Sequence, residues 1–409
     1  MWSEAIRQWS TVHPEFSYLP RKFKIAVTAA EKDRAAIRAY DIGLHLRRTR
    51  EGELTFEVMV GGGQGRTPYL AKTIREHLPA ARLLSYLNAI LRVYNRESRR
   101  DNIHKQRIKI LVNTLGVEEF TRRVEAEFAA TDGADIDLPD TELAGIRARF
   151  HVPDFETLPA SSAAFEAARA ADPEFARFVR RNVHAHKAQG YAIVDVSLKV
   201  PGETPGDATS EQMNLVADLA DAYSKGETRV HYTQNLLLPH VKLDDVPAVY
   251  ARLKELGLAT ANTDLITDII ACPGLDYCTL ANARAIPIAQ AIARRFADPD
   301  RAEHIGDLPI RISGCINACG HHHLGAIGIL GVDKKGEEYY QLSLGGSGAE
   351  DATLAQILGP AMSGPQLPDA IETLVETYLA IRQDGERFLD TVRRAGLQPF
   401  KEAVYAEAH

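Results

Sequence analysis

The sequence contains few cysteines and no long apolar run. Four cysteines among 409 residues are too few for a disulfide framework. The opening residues, Met1-Trp2-Ser3-Glu4, begin a charged amphipathic stretch without the apolar core of a signal peptide. No uninterrupted apolar run approaches the ~18 residues of a bilayer span. These absences argue against export and membrane insertion, so we expect a cytoplasmic protein.

Charge and composition narrow the class further. The formal net charge is -7, which argues against general nucleic-acid binding. Hydrophobic residues make up 45% of the chain and charged residues 25%, an ordinary globular balance. The length suffices for two or three domains with buried cores.

All four cysteines lie in one short part of the chain, as Cys272, Cys278, Cys315 and Cys319. Their spacings, C-x5-C in ACPGLDYC and C-x3-C in GCINAC, differ from the C-x2-C spacing typical of zinc knuckles. Four soft thiolates suit a cubane iron–sulfur cluster, and Gly314 and Gly320 would let the backbone pack against its sulfides. Two alternatives remain: a structural zinc site that includes His321 to His323, and thiols that only fill core positions.

Four motifs recur in the same order in the two halves of the chain. LPRKFKIAV at 19–27, DIGL at 41, GGGQG at 61 and LGVEEF at 115 match LPIRISGCI at 308–316, AIGILG at 326, LGGSG at 344 and AGLQPF at 395. This order indicates duplicated units of about 100 residues, and the alternative is coincidental glycine turns.

Hydrophobic periodicity predicts mixed α and β structure. Helical patterns cover 81–97, 210–225, 244–257 and 368–396. Strand-like patterns cover 190–203 and 228–241, so residues 190–257 form a β-α-β-α unit. The alanine-rich segment around 125–185 is typical of a connector.

Basic side chains are concentrated in two places. The run RVYNRESRRDNIHKQRIKI at 92–110 holds seven Arg or Lys and two acids. Alone it would indicate a solvated face or a weak nucleic-acid patch, whereas a cofactor with many carboxylates would need such a patch. In LPRKFK, Lys22 and Lys24 project on the same side of a predicted strand, and two adjacent ammonium groups favour an anion.

Together these segments resemble the siroheme-dependent sulfite and nitrite reductases. That family has C-x5-C, a gap of several tens of residues and then C-x3-C, matched here by ACPGLDYC and SGCINACGHHH. Other similar segments are LPRKFK, GGGQGRTP, the basic run, HYTQNLLL and QLSLGG. The resemblance extends over essentially the whole chain.

The resemblance implies two cofactors, a [4Fe-4S] cluster and siroheme, which carries eight carboxylates. The implied cluster ligands are Cys272, Cys278, Cys315 and Cys319, and Cys319 would also bind the siroheme iron. The implied siroheme contacts are Arg100, Arg107, Lys109, Gln234 and Asn235. Lys22 and Lys24 would hold the oxygens of a substrate anion and supply protons.

The resemblance also implies an α+β fold, in which duplicated mixed α+β siroheme/[4Fe-4S] units flank a ferredoxin-like half-domain. The predicted domains are a first siroheme-binding unit at 1–125, truncated at its start, a helical connector at 126–185, the half-domain at 186–257, and a second unit with the cysteines at 258–409. Complete family members have a further half-module and arginines upstream of LPRKFK. A fragment, a misplaced start codon and a piece supplied by another chain are the alternatives.

The predicted function is the six-electron reduction of sulfite to sulfide in sulfur assimilation, an oxidoreductase activity. Nitrite reduction to ammonia is the alternative, and family members that act on nitrite tend to have Asn at the position of Lys24. A truncated, inactive iron–sulfur or zinc-binding protein is the alternative of another class. GGGQGRTP lacks the G-x-G-x-x-G spacing of a dinucleotide site, so we expect electrons from a separate ferredoxin or NADPH-dependent flavoprotein. We expect no nucleic-acid or membrane partner.

Overall fold

The computed structural model describes residues 1–11, 13–131, 136–137, 139–150 and 152–406. The chain divides into two compact units. Unit 1 comprises Met1–Val152 and Gly348–Leu354, and unit 2 comprises Pro153–Ser347 and Ala355–His409. Each unit is described by itself.

Unit 1 contains one sheet and five helices in the part of it that the structure describes. Its strands are β1 (Ile25–Thr28), β2 (Ile42–Arg48), β3 (Leu54–Val60) and β4 (Lys72–Pro79). Its helices are α1 (Trp2–Thr11), α2 (Leu83–Glu97), α3 (Ile108–Leu115), α4 (Val117–Ala130) and α5 (Asp140–Arg147).

The sheet of unit 1 has the order β1-β2-β3-β4, with β1 parallel to β2 and the other pairs antiparallel. Strand β3 and helix α2 contribute most of its fully buried side chains, among them Phe56, Tyr86 and Tyr94. Trp2 of α1 joins this core by an edge-on contact with Phe56 at 5.3 Å between ring centroids. Burial of each such side chain stabilises the fold by about 1.5–3 kcal/mol.

Unit 2 contains two sheets. Its strands are β5 (Val183–Ala185), β6 (Tyr191–Val196), β7 (Arg229–Val230), β8 (Leu236–Lys242), β9 (Ile270–Ala271), β10 (Ile310–Ser313), β11 (Ile327–Lys334), β12 (Glu337–Leu344), β13 (Gln356–Ile357) and β14 (Met362–Ser363). Its helices are α6 (Ala163–Ala171), α7 (Pro173–Asn182), α8 (Ser210–Tyr223), α9 (Val246–Glu255), α10 (Ile286–Arg295), α11 (Pro299–Ile305), α12 (Leu367–Ile381), α13 (Phe388–Ala395) and α14 (Gln398–Tyr405).

The first sheet of unit 2 is antiparallel, in the order β5-β6-β8-β7. Its core includes Leu215 of α8 and Val249 of α9, as well as Phe175 and Phe178 of α7. The sequence assigned α6, α7 and β5 to a connector, but the structure packs them with the half-domain. Phe175 and Phe178 lie three residues apart and so share one face of α7. This apolar face packs into the core of the half-domain.

The second sheet of unit 2 has the order β13-β12-β11-β10-β9, and β14 also pairs with β12. Strands β9, β10 and β11 run parallel, and β11 to β13 are antiparallel. The parallel arrangement brings the carboxyl ends of β9 and β10 to the same edge of the sheet, which is where ligands bind in many α/β proteins.

The two units share the predicted repeat. In unit 1 Ile25 pairs with Ile42, and in unit 2 Ile310 pairs with Ile327 across the same separation along the chain. In both units a long helix, α2 or α12, is followed by an eight-residue helix, α3 or α13. That helix ends at a glycine with positive φ, Gly116 at 82° or Gly396 at 73°.

Three predicted elements are shorter than expected. The predicted strand 228–241 is a hairpin, because β7 and β8 are separated by a turn. The predicted strand 190–203 stops at Val196, and the helical pattern 368–396 is broken between α12 and α13. No helix in the described part of the chain is both long enough and apolar enough to cross a membrane.

Candidate functional site

Two of the four cysteines lie where parallel strands end. Cys272 directly follows β9, and its N–H donates to the carbonyl of Ile312 in β10 at 3.1 Å. Cys315 lies two residues after β10, and the intervening Gly314 N–H donates to the Cys272 sulfur at 3.1 Å. The strand register therefore holds these two cysteines at one edge of the sheet.

The other two cysteines lie on tight turns. The Cys278 N–H donates to the carbonyl of Gly274 at 2.9 Å, which places Cys278 one turn beyond β9. Cys319 lies between two residues in the left-handed region, Ala318 with φ 57° and His321 with φ 56°. Backbone strain at non-glycine residues clusters at functional sites, so these turns are a mark of one.

The glycines of this region serve backbone packing. A β-carbon on Gly314 would lie 2.5 Å from the carbonyl oxygen of Ala283, and one on Gly320 would lie 1.9 Å from that of Ile312. The sequence suggested that these glycines let the backbone pack against sulfides. The structure shows that the space a side chain would need is already taken by neighbouring backbone.

The donor set fits an iron–sulfur cluster. All four cysteines are free thiols; Cys315 is buried and Cys319 exposed. Burial raises the pKa of Cys272, and the nearby thiols of Cys319 and Cys315 raise it further. The N–H groups of Gly314 and Gly274 act in the opposite direction. Within the described residues, no three His, Cys, Asp or Glu side chains converge closely enough to hold a single metal ion. A cubane, being larger than one ion, tolerates the wider placement.

The three histidines after Cys319 have different environments. His321 forms the left-handed turn, and His322 is buried, with 2% of its surface exposed. Burial, with the neighbouring imidazoles of His323 and His321, lowers the pKa of His322 to about 3. Neither ring nitrogen of His322 has a hydrogen-bond partner among the described residues. The sequence analysis considered His321 to His323 together, as part of an alternative zinc site, and did not distinguish the buried His322 from its neighbours.

The two candidate substrate lysines lie in unit 1. Lys22 and Lys24 are both exposed and immediately precede β1, instead of lying within a strand as predicted. Phe23 between them turns inward and packs against Tyr94, with 5.7 Å between ring centroids. The backbone N–H of Lys24 donates to the buried carboxylate of Asp41 at 3.1 Å. The backbone of this segment is thus anchored, and the Lys24 ammonium lies over the ring of Tyr40, 6.0 Å from its centroid.

Arg107 and Lys109 of the basic run are used within unit 1. Arg107 donates to both carboxylate oxygens of Asp41 at 2.8 Å. Burial raises the pKa of Asp41, and Arg107 opposes that shift. Lys109 is 5% exposed and donates to the carbonyls of Gln64 and Thr67 at 2.9 and 2.5 Å. Burial and the Arg107 charge lower the pKa of Lys109 to about 8.

These two side chains therefore support the GGGQG loop. The side-chain amide atoms of Gln64 in that loop are buried and have no hydrogen-bond partner among the described residues. The sequence analysis used GGGQG as part of a repeat and of the family resemblance, but it did not identify Gln64 or Asp41 as site residues. Arg100, by contrast, is exposed and donates to the backbone carbonyl and the side chain of Asn95.

Gln234 and Asn235 lie in unit 2, in the turn between β7 and β8. Gln234 donates to the carbonyl of Ala271 at 2.9 Å, and Asn235 donates to the Asp268 carboxylate at 3.3 Å. Both side chains thus contact the segment before Cys272. The structure brings them to the cysteine region, while Lys22, Lys24, Arg100, Arg107 and Lys109 belong to unit 1.

The described residues form a mixed α+β fold in which two of the four free thiols lie at the ends of parallel strands. The chain belongs to the nitrite and sulphite reductase family. The model of the nitrite and sulphite reductase 4Fe-4S domain matches residues 1–131 and 262–409. The model of the nitrite/sulfite reductase ferredoxin-like half domain matches residues 187–256. The predicted α+β fold class and the predicted cofactors, a [4Fe-4S] cluster and siroheme, are confirmed at this level.

Similar proteins include both types of reductase. The chain is 27% identical to a ferredoxin–nitrite reductase of Synechococcus elongatus, over 88% of this chain and 64% of that protein. It is 26% identical to sulfite reductase [ferredoxin] 2 of Mycolicibacterium paratuberculosis, over 93% of this chain and 63% of that protein. It is also 26% identical to the sulfite reductase [NADPH] hemoprotein beta-component of Myxococcus xanthus, over 94% and 63%. The chain thus spans less than two thirds of the length of these relatives.

The fold is similar to that of a solved structure, the Mycobacterium tuberculosis NirA protein. The TM-score is 0.73 at 23% sequence identity, and the match covers 97% of this chain and 68% of that one. This similarity supports the fold.

Proposed function

We propose that this chain carries out the six-electron reduction of sulfite to sulfide, in sulfur assimilation. The observation that carries the proposal is the pair of exposed lysines, Lys22 and Lys24, on one anchored segment. Family membership alone does not choose the substrate, because the relatives are named for both nitrite and sulfite.

The cysteines would hold the cofactors. In this proposal Cys272, Cys278, Cys315 and Cys319 bind the [4Fe-4S] cluster, and the exposed Cys319 also binds the siroheme iron. When bound, these groups supply single electrons and a reducible iron centre. The N–H that Gly314 donates to the Cys272 sulfur would stabilise thiolate charge there, against the opposing effect of burial.

The lysines would bind the substrate and deliver protons. Near neutral pH sulfite is a mixture of monoanion and dianion, and two ammonium groups offset the loss of hydration of the dianion better than one. The same groups can donate protons as oxygen leaves in water molecules. Because Asp41 and Phe23 anchor the backbone between the two lysines, anion binding would need to order only their side chains.

Arg100 is the first candidate for a siroheme carboxylate, because its guanidinium lies at the surface without an acidic partner among the described residues. The other proposed siroheme contacts, Arg107, Lys109, Gln234 and Asn235, already bond within the chain. Each would need to keep that bond and use a remaining donor.

The electrons would come from a separate protein. The relatives are named for ferredoxin and for NADPH as donors, so both a ferredoxin and an NADPH flavoprotein are proposed partners. Turnover with each reduced donor in turn would identify the partner.

The basic test of the proposal is the cofactor content of the purified protein. We expect a coloured protein that contains iron and acid-labile sulfide and reduces sulfite with a chemical reductant. Zinc without iron would contradict the proposal and favour the zinc-binding alternative.

The choice of sulfite over nitrite is tested by Lys24→Asn. Loss of one charge-assisted hydrogen bond should lower kcat/KM for sulfite by roughly 5- to 150-fold, since such a bond is worth about 1–3 kcal/mol. Turnover of nitrite, a smaller monoanion, should change little. Lys32→Asn, at another exposed lysine of unit 1, is the matched control and should affect neither substrate. Equal losses for both anions would remove the basis for choosing sulfite over nitrite.

A further inference from the structure

Gln234 connects the β7–β8 turn to strand β9. Its Nε2 donates to the carbonyl of Ala271 at 2.9 Å, and the Ala271 N–H donates to its Oε1 at 3.1 Å. This exchange of two hydrogen bonds copies the pairing of residues in neighbouring antiparallel strands. Ala271 is the residue directly before Cys272. One side chain of the half-domain thus acts as an extra strand residue beside the cysteine segment.

The backbone of Gln234 is strained. Its φ is 66°, in the left-handed region that Gly and Asn adopt far more readily than Gln. Such strain persists only where the surroundings enforce it. A shorter residue would relieve the strain but would not span to both backbone groups of Ala271. The turn alone therefore does not require a glutamine at this position, whereas the two hydrogen bonds to Ala271 do.

A buried ion pair, Lys199 with Asp268, also holds the β7–β8 turn in place. The Lys199 ammonium donates to the carbonyl of Thr233 at 2.6 Å and to the Asp268 carboxylate at 3.0 Å. The side chains of Lys199 and Asp268 are 1% and 4% exposed. Asn235 donates to the same Asp268 oxygen. The turn before β8 and the segment before β9 are therefore held together on both sides of Gln234.

Strand β10 holds the cysteine from the opposite side. The Cys272 N–H donates to the carbonyl of Ile312, and the Gly314 N–H donates to the Cys272 sulfur, both at 3.1 Å. Ala271 is thus bonded to Gln234 on one side, and Cys272 to β10 on the other. A movement of Ala271 would change the N–H···S bond directly.

We propose that Gln234 is a positioning residue for the cluster ligand Cys272: the half-domain sets the place of this thiol, and the strength of the hydrogen bond to its sulfur, through the glutamine amide. The proposal rests on the function proposed for the cysteines. Residues that orient a metal ligand typically change metal affinity by 10–100-fold, and hydrogen bonds to sulfur tune the reduction potential of a cluster.

The test compares Gln234→Asn and Gln234→Leu with the wild-type holoprotein. Asn keeps an amide and favours positive φ, so the turn should fold, but it is one methylene too short for the two-point pairing. Gln189→Asn is the matched control, because Gln189 is an exposed glutamine whose amide donates to the carbonyl of Leu158 at 3.0 Å. The measurements are acid-labile sulfide per chain, the EPR spectrum and midpoint potential of the reduced cluster, the rate of bleaching in air, and the unfolding midpoint.

We expect both Gln234 variants to bleach about tenfold faster than wild type and to show a shifted midpoint potential and EPR spectrum. The unfolding midpoint of Gln234→Asn and all properties of Gln189→Asn should match wild type. An unchanged spectrum, potential and bleaching rate in Gln234→Asn would overturn the inference while leaving the proposed function in place. Wild-type protein without iron and sulfide would overturn the proposed function, and the inference with it. If Gln234→Leu does not fold, Gln234→Asn alone decides.

Discussion

Asp195 of β6 makes the stability of unit 2 depend on pH. It is fully buried. Burial raises the pKa of Asp195 to about 8, and the carboxylates of Asp268 and Asp264 add to the shift. The groups that face it include Nδ1 of His231 at 3.8 Å and Nε2 of His184 at 4.0 Å.

The sign of the effect follows from linkage between protonation and folding. The unfolded carboxyl loses its proton near pH ~3.9, whereas the folded one keeps it up to pH about 8. Between these values the folded state binds one more proton, so the contribution of this group to stability is present at low pH and falls as pH rises. The slope is at most about 1.4 kcal/mol per pH unit, which sums to a few kcal/mol across the window.

Asp195→Asn tests this directly, because the amide has the same shape and does not titrate. We expect equal unfolding midpoints for wild type and variant near pH 4 to 5, and a variant that becomes progressively more stable up to pH 8. Thermal unfolding followed by circular dichroism at a series of pH values measures the difference. Asp218→Asn, at an exposed position of α8, is the control and should show a constant difference. Parallel curves for wild type and Asp195→Asn would refute the reasoning.

Two further predictions concern the cysteine loop. Cys319→Ser should remove both acid-labile sulfide and the coupled haem absorption, since one thiolate is proposed to serve both cofactors; an unchanged haem spectrum would count against the bridge. Gly320→Ala should destabilise the fold by about 1–3 kcal/mol or more, because its β-carbon would lie 1.9 Å from the carbonyl oxygen of Ile312. Gly145→Ala in α5, where the added β-carbon meets nothing within 4 Å, should instead raise the unfolding midpoint, and thermal melts compare the two.

The predictable parts of the fold were those with strong periodicity. Helices α2, α8 and α9 lie within two residues of their predicted bounds, because their apolar faces repeat at helical spacing over two or more turns. The β7–β8 turn was missed, because TRVHYTQNLLLPHV has no Gly or Asn-Gly signal and the turn is formed by Gln234 at positive φ. Propensity disfavours that conformation, and only the long-range pairing with Ala271 reveals why it forms.

The residues of the candidate site were likewise predictable only where the signal is local in the sequence. Cysteine spacing identified the thiols, since ligand type and interval are local properties of the sequence. Net charge in the basic run did not reveal which side chains remain available, because Arg107 pairs with Asp41, which lies 66 residues earlier. Lys109 is likewise buried against the loop that contains Gln64. A count of charges cannot distinguish a surface patch from side chains that support a neighbouring loop.

A short turn follows β1 in unit 1 and β10 in unit 2, and the two turns have similar backbones but different side chains. Ile37 in unit 1 and His322 in unit 2 each begin a short 3-10 turn, after a left-handed residue, and are 3% and 2% exposed. In each case a glycine, Gly43 or Gly328, leaves room for the carbonyl of that residue.

The backbone requirement is thus the same, but Ile37 packs with apolar neighbours while His322 buries two ring nitrogens without partners among the described residues. An unsatisfied buried polar group costs about 1–3 kcal/mol. The repeat therefore explains the shape of the cysteine loop but not its histidine, and the chemistry of the second unit depends on side chains that the fold itself does not require.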